Sequence, residues 1–258
     1  MTSVRVFFLG GLLSFRALFN WRHPSIYIPT MLGAPLFQIL FFSYLGRYSG
    51  VADDEYFVVG NAVQASAMAG VYGMVMMLVN ERLFGTLPAV LASPGSRLAL
   101  YFGRTLPTIV NGLVVSAFGL GASFLLLDLR LPTGAVAPFA AAVAVTVASC
   151  AMFGLAIGSV GLRTNDLWFG SNLAYYVLLL LCGVNVPLSG LPDWLAAVGR
   201  ALPLTHGVEA ARRLAGGADL AGVAGLIGRE ALTGVAYAAL GYGLLRLFEA
   251  ESRRSASL

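Results

Sequence analysis

Apolar residues recur in long runs along the whole chain, and short polar stretches separate these runs. A helix needs about 20 mostly apolar residues to cross the hydrocarbon core of a bilayer, which is about 30 Å thick. Six runs come close to this length or exceed it: residues 26–45, 57–79, 101–127, 135–162, 167–186 and 231–248. The pattern therefore predicts an all-α integral membrane protein with six transmembrane helices.

The segment before the first run, residues 1–24, follows a different pattern. Its large apolar residues fall near one helical face at Val4, Phe7, Phe8, Phe15, Leu18 and Phe19. Arg5 and Arg16 share a face, and Trp21 and Arg22 suit the headgroup level of the cytoplasmic leaflet. This pattern predicts an N-terminal interfacial amphipathic helix on the inner membrane surface. The alternative is a seventh, poorly apolar span.

Composition supports a single membrane domain covering residues 1–258. Hydrophobic residues make up 58% of the chain and charged residues 11%, against about 25% charged residues in soluble domains. Most of the exterior must therefore face lipid. All 16 basic residues are Arg, which suggests a GC-rich bacterial genome. They are scattered between apolar runs, which argues against nucleic-acid binding.

The distribution of Arg predicts the orientation, because positive charge concentrates on the cytoplasmic side. With the N-terminus inside, ten arginines are cytoplasmic: Arg5, Arg16, Arg22, Arg82, Arg97, Arg104, Arg163, Arg246, Arg253 and Arg254. The short outer loops hold only Arg47 and Arg130. We therefore predict a multi-pass protein of the bacterial plasma membrane with both termini cytoplasmic. Arg229 and Glu230 would be topological anchors at the outer start of the last span.

The inner loop after the second run, residues 81–96, predicts a short amphipathic helix. Leu83, Leu87, Val90 and Leu91 share one helical face, and Pro94 ends the segment. The helix would lie across the inner membrane face between two spans. It is either a well-capped loop or a docking element for a cytoplasmic partner.

The outer stretch at residues 187–206 is too apolar for an ordinary loop. Pro187, Gly190, Pro192 and Pro203 forbid one continuous helix. Non-helical backbone at membrane depth is tolerated only against protein or a water-filled cavity. We therefore predict a re-entrant pair of short helices, with Trp194 at the outer interface. A Pro-rich loop lying on the headgroups is the alternative.

These two segments carry a resemblance to a known family. Glu81-Arg82-x-x-Gly85-Thr86-Leu87, with Ser93-Pro94 after it, resembles a motif of the type-2 ABC transporter (ABC-2) permeases. So does Pro187-Leu188-Ser189-x-Leu191-Pro192-x-Trp194-Leu195, followed by Leu202-Pro203-Leu204-Thr205-His206. The resemblance covers essentially the whole chain and is strongest to antibiotic (daunorubicin-resistance) and polysaccharide (nodulation) exporter permeases. Pro88 departs from the family, which often has an acidic residue there.

The resemblance implies roles for both segments. Residues 81–96 would be the coupling helix, and its contacts with an ATPase subunit would involve Glu81, Arg82, Gly85, Thr86, Leu87 and Pro94. Residues 187–206 would close the outer end, with gate residues Pro187, Leu188, Pro192, Trp194, Pro203 and His206. Two permease chains, expected as a homodimer, would work with two ATPase chains that hold ATP and magnesium. The cargo would be an amphipathic drug or antibiotic, a lipid or a glycan, and export of an antibiotic would confer resistance.

The chain itself is predicted to be neither an enzyme nor a cofactor binder. A phosphate-binding loop requires Lys, and the chain has none, so ATP hydrolysis must come from a separate polypeptide. Two other functions remain open. An integral membrane enzyme acting on a lipid needs clustered acidic or His side chains, and the only acidic run is Asp53-Asp54-Glu55. An ion-coupled secondary carrier needs charges in mid-span, where this chain has almost none.

Uncharged polar residues inside the runs have two possible uses. They are Gln38, Asn61, Gln64, Asn111, Asn172 and Asn185. Hydrogen bonding between helices is the first interpretation. The second is a substrate path, for which Asn61, Gln64 and Asn172 are the candidates, because the resemblance places that path between the second and fifth spans. No catalytic or metal site is predicted, and Cys150 and Cys182 are expected to be small buried residues.

Overall fold

The computed structural model describes residues 28–50, 54–83, 85, 103, 105–127, 131–161 and 167–255. Every regular element within these ranges is helical. The α-helices are α1 (Ala34–Ser49), α2 (Asp54–Leu83), α3 (Thr105–Leu127), α4 (Val136–Gly161), α5 (Leu167–Leu181), α6 (Asp193–Ala201), α7 (Thr205–Ala215) and α8 (Leu220–Ser255). A π-helical stretch, Ile28–Gly33, precedes α1, and short 3₁₀ turns lie at Thr133–Ala135 and Leu188–Gly190.

Each predicted apolar run overlaps an α-helix, and the all-helical membrane fold is confirmed. Among the described residues, four stretches are long and apolar enough to cross a membrane: Glu55–Asn80, Thr105–Leu127, Thr133–Val160 and Leu220–Leu247. The apolar part of α5, Gly170–Leu181, is shorter. The count of six spans therefore stays a prediction. The last helix begins at Leu220, well before the predicted start at residue 231.

Two predicted segments lie mostly outside the described residues. The N-terminal interfacial helix, residues 1–24, is one of them. Of the predicted coupling helix, residues 81–96, the structure describes the backbone of the last turn of α2 up to Leu83 and then Gly85. Gly85 is exposed and has a left-handed φ of 66°, a conformation that favours glycine just beyond a helix end.

The long helices alternate in direction. Contacts between neighbouring helices show these directions. Helix α2 contacts α1 at Gly46–Phe57 and Gln38–Gln64, α3 at Gly73–Thr108, α4 at Gly70–Val147 and Gly154–Val71, and α5 at Tyr72–Asn172. Helix α4 contacts α8 at Gly234–Ser149 and Gly241–Ala156. Helices α2, α4 and α8 are therefore mutually parallel, while α1, α3 and α5 run the other way. One end of the bundle carries the first residues of α2, α4 and α8.

Helix α2 forms the centre of the bundle. Along its length Val58, Val63, Val71, Met74 and Leu78 have almost no exposed surface. Its contact with α4 is close because both helices present glycine where they cross. A Cβ atom on Gly70 would lie 2.5 Å from the carbonyl oxygen of Val147, and one on Gly154 would lie 2.6 Å from that of Val71. Small residues at such crossings let backbones approach and gain dispersion contacts.

The crossing of α2 and α4 predicts a large effect of one added methyl group. Gly154→Ala would place Cβ against the backbone of Val71, so the helices must separate. We expect the free energy of unfolding to fall by about 1–3 kcal/mol, measured by circular dichroism in detergent. Gly121→Ala in α3 is the control, because nothing lies within 4 Å of its Cβ position. Equal effects of the two substitutions would contradict the close crossing.

Candidate functional site

Two short helices, α6 and α7, form a helical hairpin at residues 193–215, which is called the hairpin below. The fixed φ of Pro192 suits the residue before α6, and Asp193 carries negative charge in its first turn, where the helix dipole favours it. The chain reverses at residues 202–204 and continues as α7 from Thr205. The turn at Gly216 and Gly217 then leads into α8.

The tip of the hairpin lies inside the helix bundle. A Cβ atom on Gly207, in the first turn of α7, would overlap the side chain of Thr146 in α4. Thr146 is ten residues along α4 from Val136, or about 15 Å at 1.5 Å per residue. The C-terminal end of α7 contacts the start of α2 at Tyr56. The hairpin thus enters the bundle at the end where α2, α4 and α8 begin, and it returns to the same end.

The guanidinium of Arg212 in α7 is largely buried and bonds to backbone carbonyls of two other segments. Its Nη1 donates to Gly183 O at 2.7 Å, its Nη2 donates to Val184 O at 2.7 Å, and Nε and Nη2 both donate to Tyr56 O, at 3.2 and 3.0 Å. The cation also stacks on the ring of Tyr56, with Cζ 3.5 Å from the ring centroid. Arg212 therefore ties α7 to the start of α2 and to the residues after α5.

The acceptors of Arg212 include carbonyls that follow the end of α5. The last carbonyls of a helix lack intrahelical partners and carry partial negative charge. Gly183, with a φ of 75°, turns the chain there, and its carbonyl also accepts the Tyr56 hydroxyl at 2.9 Å. A Cβ on Gly60 would overlap Nη2 of Arg212, so a glycine in α2 makes room for the cation.

Glu230 of α8 caps the N-terminus of α7 from outside that helix. The Leu204 N–H donates to Oε1 at 2.8 Å, and the Gly207 N–H donates to Oε2 at 3.1 Å. The carboxylate, only 1% exposed, thus satisfies N–H groups that would otherwise be buried without acceptors. Thr205, a residue type that often caps a helix by accepting such bonds, instead donates its hydroxyl to Gly199 O at 2.5 Å.

Neither Arg212 nor Glu230 was among the residues that the sequence indicated for a gate. Glu230 was predicted to be a topological anchor at the outer start of a span, whereas the structure places it inside α8 as a helix cap. One indication was present in the sequence: Arg212 and Glu230 are charged residues in a chain with few of them, and buried charges in membrane proteins are usually paired. Their partners are backbone groups, which sequence patterns do not reveal.

The predicted gate residues lie along the hairpin and the turn before it. Pro187 and Leu188 form the 3₁₀ turn after α5, Pro192 precedes α6, and Pro203 is buried at the tip. Trp194 is 68% exposed, as a side chain facing headgroups would be. Their action as a gate stays a prediction. The observed hairpin extends to Ala215, beyond the predicted range of 187–206.

His206, the last of the predicted gate residues, is half-buried in the first turn of α7. Burial and the positive charge of Arg229 lower the pKa of its imidazole, and a backbone hydrogen bond at Arg200 opposes this. The neutral form is therefore favoured at neutral pH. Within the described ranges, no group of three or more His, Cys, Asp and Glu side chains is placed to hold a metal ion.

A polar network joins α1, α2, α5 and the residues after α5. Gln38 Nε2 donates to Asn61 Oδ1 at 2.8 Å and to Gln64 Oε1 at 3.1 Å, and the Tyr175 hydroxyl donates to Gln38 Oε1 at 2.7 Å. Asn61 Nδ2 in turn donates to Asn185 Oδ1 at 2.7 Å. Asn61 and Gln64, two of the predicted path residues, are fully buried in this network.

Asn172, the third predicted path residue, lies apart from the network on the exposed side of α5. Its Oδ1 accepts the Tyr72 hydroxyl at 3.0 Å. Inside the network, Gln64 Nε2 and Asn185 Nδ2 are buried and have no hydrogen-bond acceptor. The network therefore holds the helices together and also retains unused donors.

Comparison with known protein families gives a match over most of the chain. A family model described as ABC-2 type transporter matches residues 11–214. The matched range contains α1 to α6, nearly all of α7, and the segment 81–96. No curated protein matches the chain.

Removal of the Arg212 guanidinium should release the hairpin. Arg212→Met keeps the apolar stem but leaves the carbonyls of Tyr56, Gly183 and Val184 with fewer donors. Since each unsatisfied buried polar group costs about 1–3 kcal/mol, we expect the unfolding free energy to fall by about 3 kcal/mol or more. Thermal unfolding in detergent measures this loss, and cysteine accessibility at Cys182, which bonds Pro203 O, reports hairpin opening.

Arg213→Met is the matched control for this prediction. Arg213 is the next residue, but it is exposed, and among the described residues its ion pair is with Glu209 one turn earlier, at 2.8 Å. Such a surface pair contributes about 0.5 kcal/mol. If Arg213→Met were as destabilising as Arg212→Met, Arg212 would not be the residue that holds the hairpin to α2.

Substitution of Glu230 should act on the start of α7. Glu230→Gln keeps one carbonyl acceptor for the N–H groups of Leu204 and Gly207, whereas Glu230→Ala keeps none. We expect a graded loss of stability, with alanine worse by about 1–3 kcal/mol. Hydrogen exchange of the Gly207 amide should accelerate in the same order. Unchanged exchange in Glu230→Ala would show that another group caps α7.

Proposed function

The chain belongs to the ABC-2 type transporter family and is a membrane permease, and from this premise we propose that it serves an ATP-driven exporter. In this proposal two copies of a partner ATPase bind ATP and magnesium on the cytoplasmic side. A second copy of the permease completes the complex as a homodimer. The cargo is an amphipathic drug or antibiotic, a lipid or a glycan, and it leaves the cell.

The observation that carries this proposal is the placement of the hairpin relative to α2. The hairpin inserts among α2, α4 and α8, and Arg212 binds the carbonyl of Tyr56 at the first turn of α2. The same helix continues without interruption to Leu83, which lies within the predicted coupling segment 81–96. Its 30 residues span about 45 Å. A displacement at one end of this rigid helix would therefore reach the hairpin at the other.

The polar network supports a cargo path along α2 and α5. Gln64 Nε2 and Asn185 Nδ2 are buried donors without acceptors, and leaving such donors unpaired is costly. A cargo that carries hydroxyl, carbonyl or ether oxygens could accept from them when the helices separate. Asn172 and Tyr72 would extend the same path on the exposed side of α5.

A membrane enzyme acting on a lipid and an ion-coupled carrier are the alternative functions. Glu230 is the buried charge in the last helix that such a carrier could use. Both of its oxygens, however, accept backbone N–H groups at the start of α7. This arrangement favours a fixed structural carboxylate over one that binds and releases ions, and it supports the exporter.

Reconstitution of the purified chain tests the exporter proposal. We expect no ATP hydrolysis by the chain alone, and ATP hydrolysis stimulated by cargo once its partner ATPase is added. Transport by the chain alone, driven by an ion gradient, would overturn the proposal in favour of the carrier.

A pair of glycine variants tests docking at the predicted coupling helix. Gly85 and Gly217 both have positive φ, 66° and 91°, and both have open space at the Cβ position. Alanine strains each of them by about 1 kcal/mol, so the local penalty is matched. Because only Gly85 lies in the predicted coupling segment, Gly85→Ala should weaken ATPase binding severalfold in a pull-down while Gly217→Ala should not. Equal retention of the ATPase by both variants would refute the docking role.

A further inference from the structure

A cavity of about 360 Å³ opens beside the hairpin. Its walls come from α6, α7, the start of α2, the residues after α5, and α8. Its charged lining consists of Arg200, Arg212 and Arg229 against a single carboxylate, that of Glu209. Glu209 already pairs with Arg213 at 2.8 Å, so the cavity is positively charged.

Two of these arginines are available to a ligand. Arg212 uses its donors on the carbonyls of Tyr56, Gly183 and Val184. Arg200 and Arg229 are exposed, and neither guanidinium forms an ion pair with a residue that the structure describes. A planar guanidinium binds phosphate oxygens through paired hydrogen bonds. Two such groups at one cavity, next to a low-dielectric bundle, favour a phosphate group.

An apolar groove lies next to these two arginines. It has a volume of about 330 Å³ and is lined by Ala201 of α6 and by Leu232, Ala236, Tyr237 and Leu240 of α8, among others. Ala201 directly follows Arg200 in the chain. On α8, Leu232, Ala236 and Leu240 follow Arg229 at intervals of three, four and four residues, which keeps them on one helical face. The groove therefore runs along α8 away from the charged cavity.

A charged cavity that leads into an apolar groove matches the two parts of a phospholipid. The cavity is large enough for a phosphate with a small polar headgroup. The groove offers an open apolar surface, with Leu232 at 69% and Leu240 at 51% exposure, which an acyl chain can cover. A soluble anion would satisfy the arginines but would leave the groove bare.

We propose that the cavity and the groove together bind one anionic phospholipid, with its phosphate between Arg200 and Arg229 and one acyl chain along α8. The lipid would seal the side of the hairpin that faces the bilayer. It is a bound component of the membrane and not the exported cargo, so the proposal does not depend on what the transporter moves.

Native mass spectrometry of the purified full-length chain tests this site. The chain is released from detergent after incubation with phosphatidylglycerol or with phosphatidylcholine of the same acyl chains. We expect retention of phosphatidylglycerol, and about tenfold or greater weakening in the double variant Arg200→Gln/Arg229→Gln. The control Arg246→Gln removes an exposed charge of α8 that does not line the cavity or the groove, and it should retain the lipid.

A second pair of variants tests the groove. Ala236→Phe fills it and should weaken phosphatidylglycerol binding severalfold, whereas Ala239→Phe, at an exposed position of α8 outside the groove, should not. Glycerol phosphate, which lacks acyl chains, should compete poorly. Equal binding of both lipids, retention by the double arginine variant, or full competition by glycerol phosphate with no effect of Ala236→Phe would each overturn the proposal. Circular dichroism of every variant confirms that a loss of lipid is not a loss of fold.

Discussion

The desolvated guanidinium of Arg212 is the interaction on which the arrangement of the hairpin depends. A charge in a protein interior is tolerated only when its donors are satisfied, and here three backbone carbonyls and the face of Tyr56 satisfy it. These acceptors belong to the start of α2 and to the residues after α5. Two segments far apart in sequence are thereby fixed to α7. The cation also donates to the carbonyl of buried Val184, and it shares the carbonyl of Gly183 with the Tyr56 hydroxyl.

Insertion of α7 brings a second electrostatic requirement, at its opposite end. A helix that begins inside a bundle exposes N–H groups to an apolar environment, and each unpaired group costs about 1–3 kcal/mol. Glu230 removes this cost at Leu204 and Gly207. With both ends satisfied, the apolar face of α7, including Val208, Ala211 and Leu214, can be buried completely. The positive φ of Leu204, 89°, is a strain that this burial and capping offset.

Sequence patterns predicted the helices and the presence of a broken segment, because both follow from local chemistry. Apolar runs set the approximate positions of the long helices, and Pro187, Pro192 and Pro203 made a single helix between α5 and α8 impossible. The extent of the hairpin was less predictable. The predicted hairpin ended at His206, and the buried face of the rest of α7 becomes evident only against α2, α4 and α8.

The hydrogen bonds of Arg212 and Glu230 could not be predicted from the sequence for a different reason. Both side chains bond to backbone atoms, and a backbone acceptor has no residue type that a pattern could reveal. The amides of Asn61 and Gln64 were visible as polar residues within apolar runs. The structure adds that they form hydrogen bonds with Gln38 and Asn185 in one network. The predicted hydrogen bonding between helices is therefore present. The part of these amides in cargo passage stays a proposal.

Arg212 and Glu230 join α7 to different helices, and this difference determines where the hairpin can open. Glu230 and the short connection from Ala215 to Leu220 both hold α7 to α8, so α7 and α8 must move together. Arg212 is the polar tie between α7 and α2. A displacement of α2 relative to α8 therefore strains the bonds of Arg212 while those of Glu230 remain intact. If, as proposed, the end of α2 near Leu83 receives a push from the ATPase, the separation begins between Arg212 and the carbonyl of Tyr56.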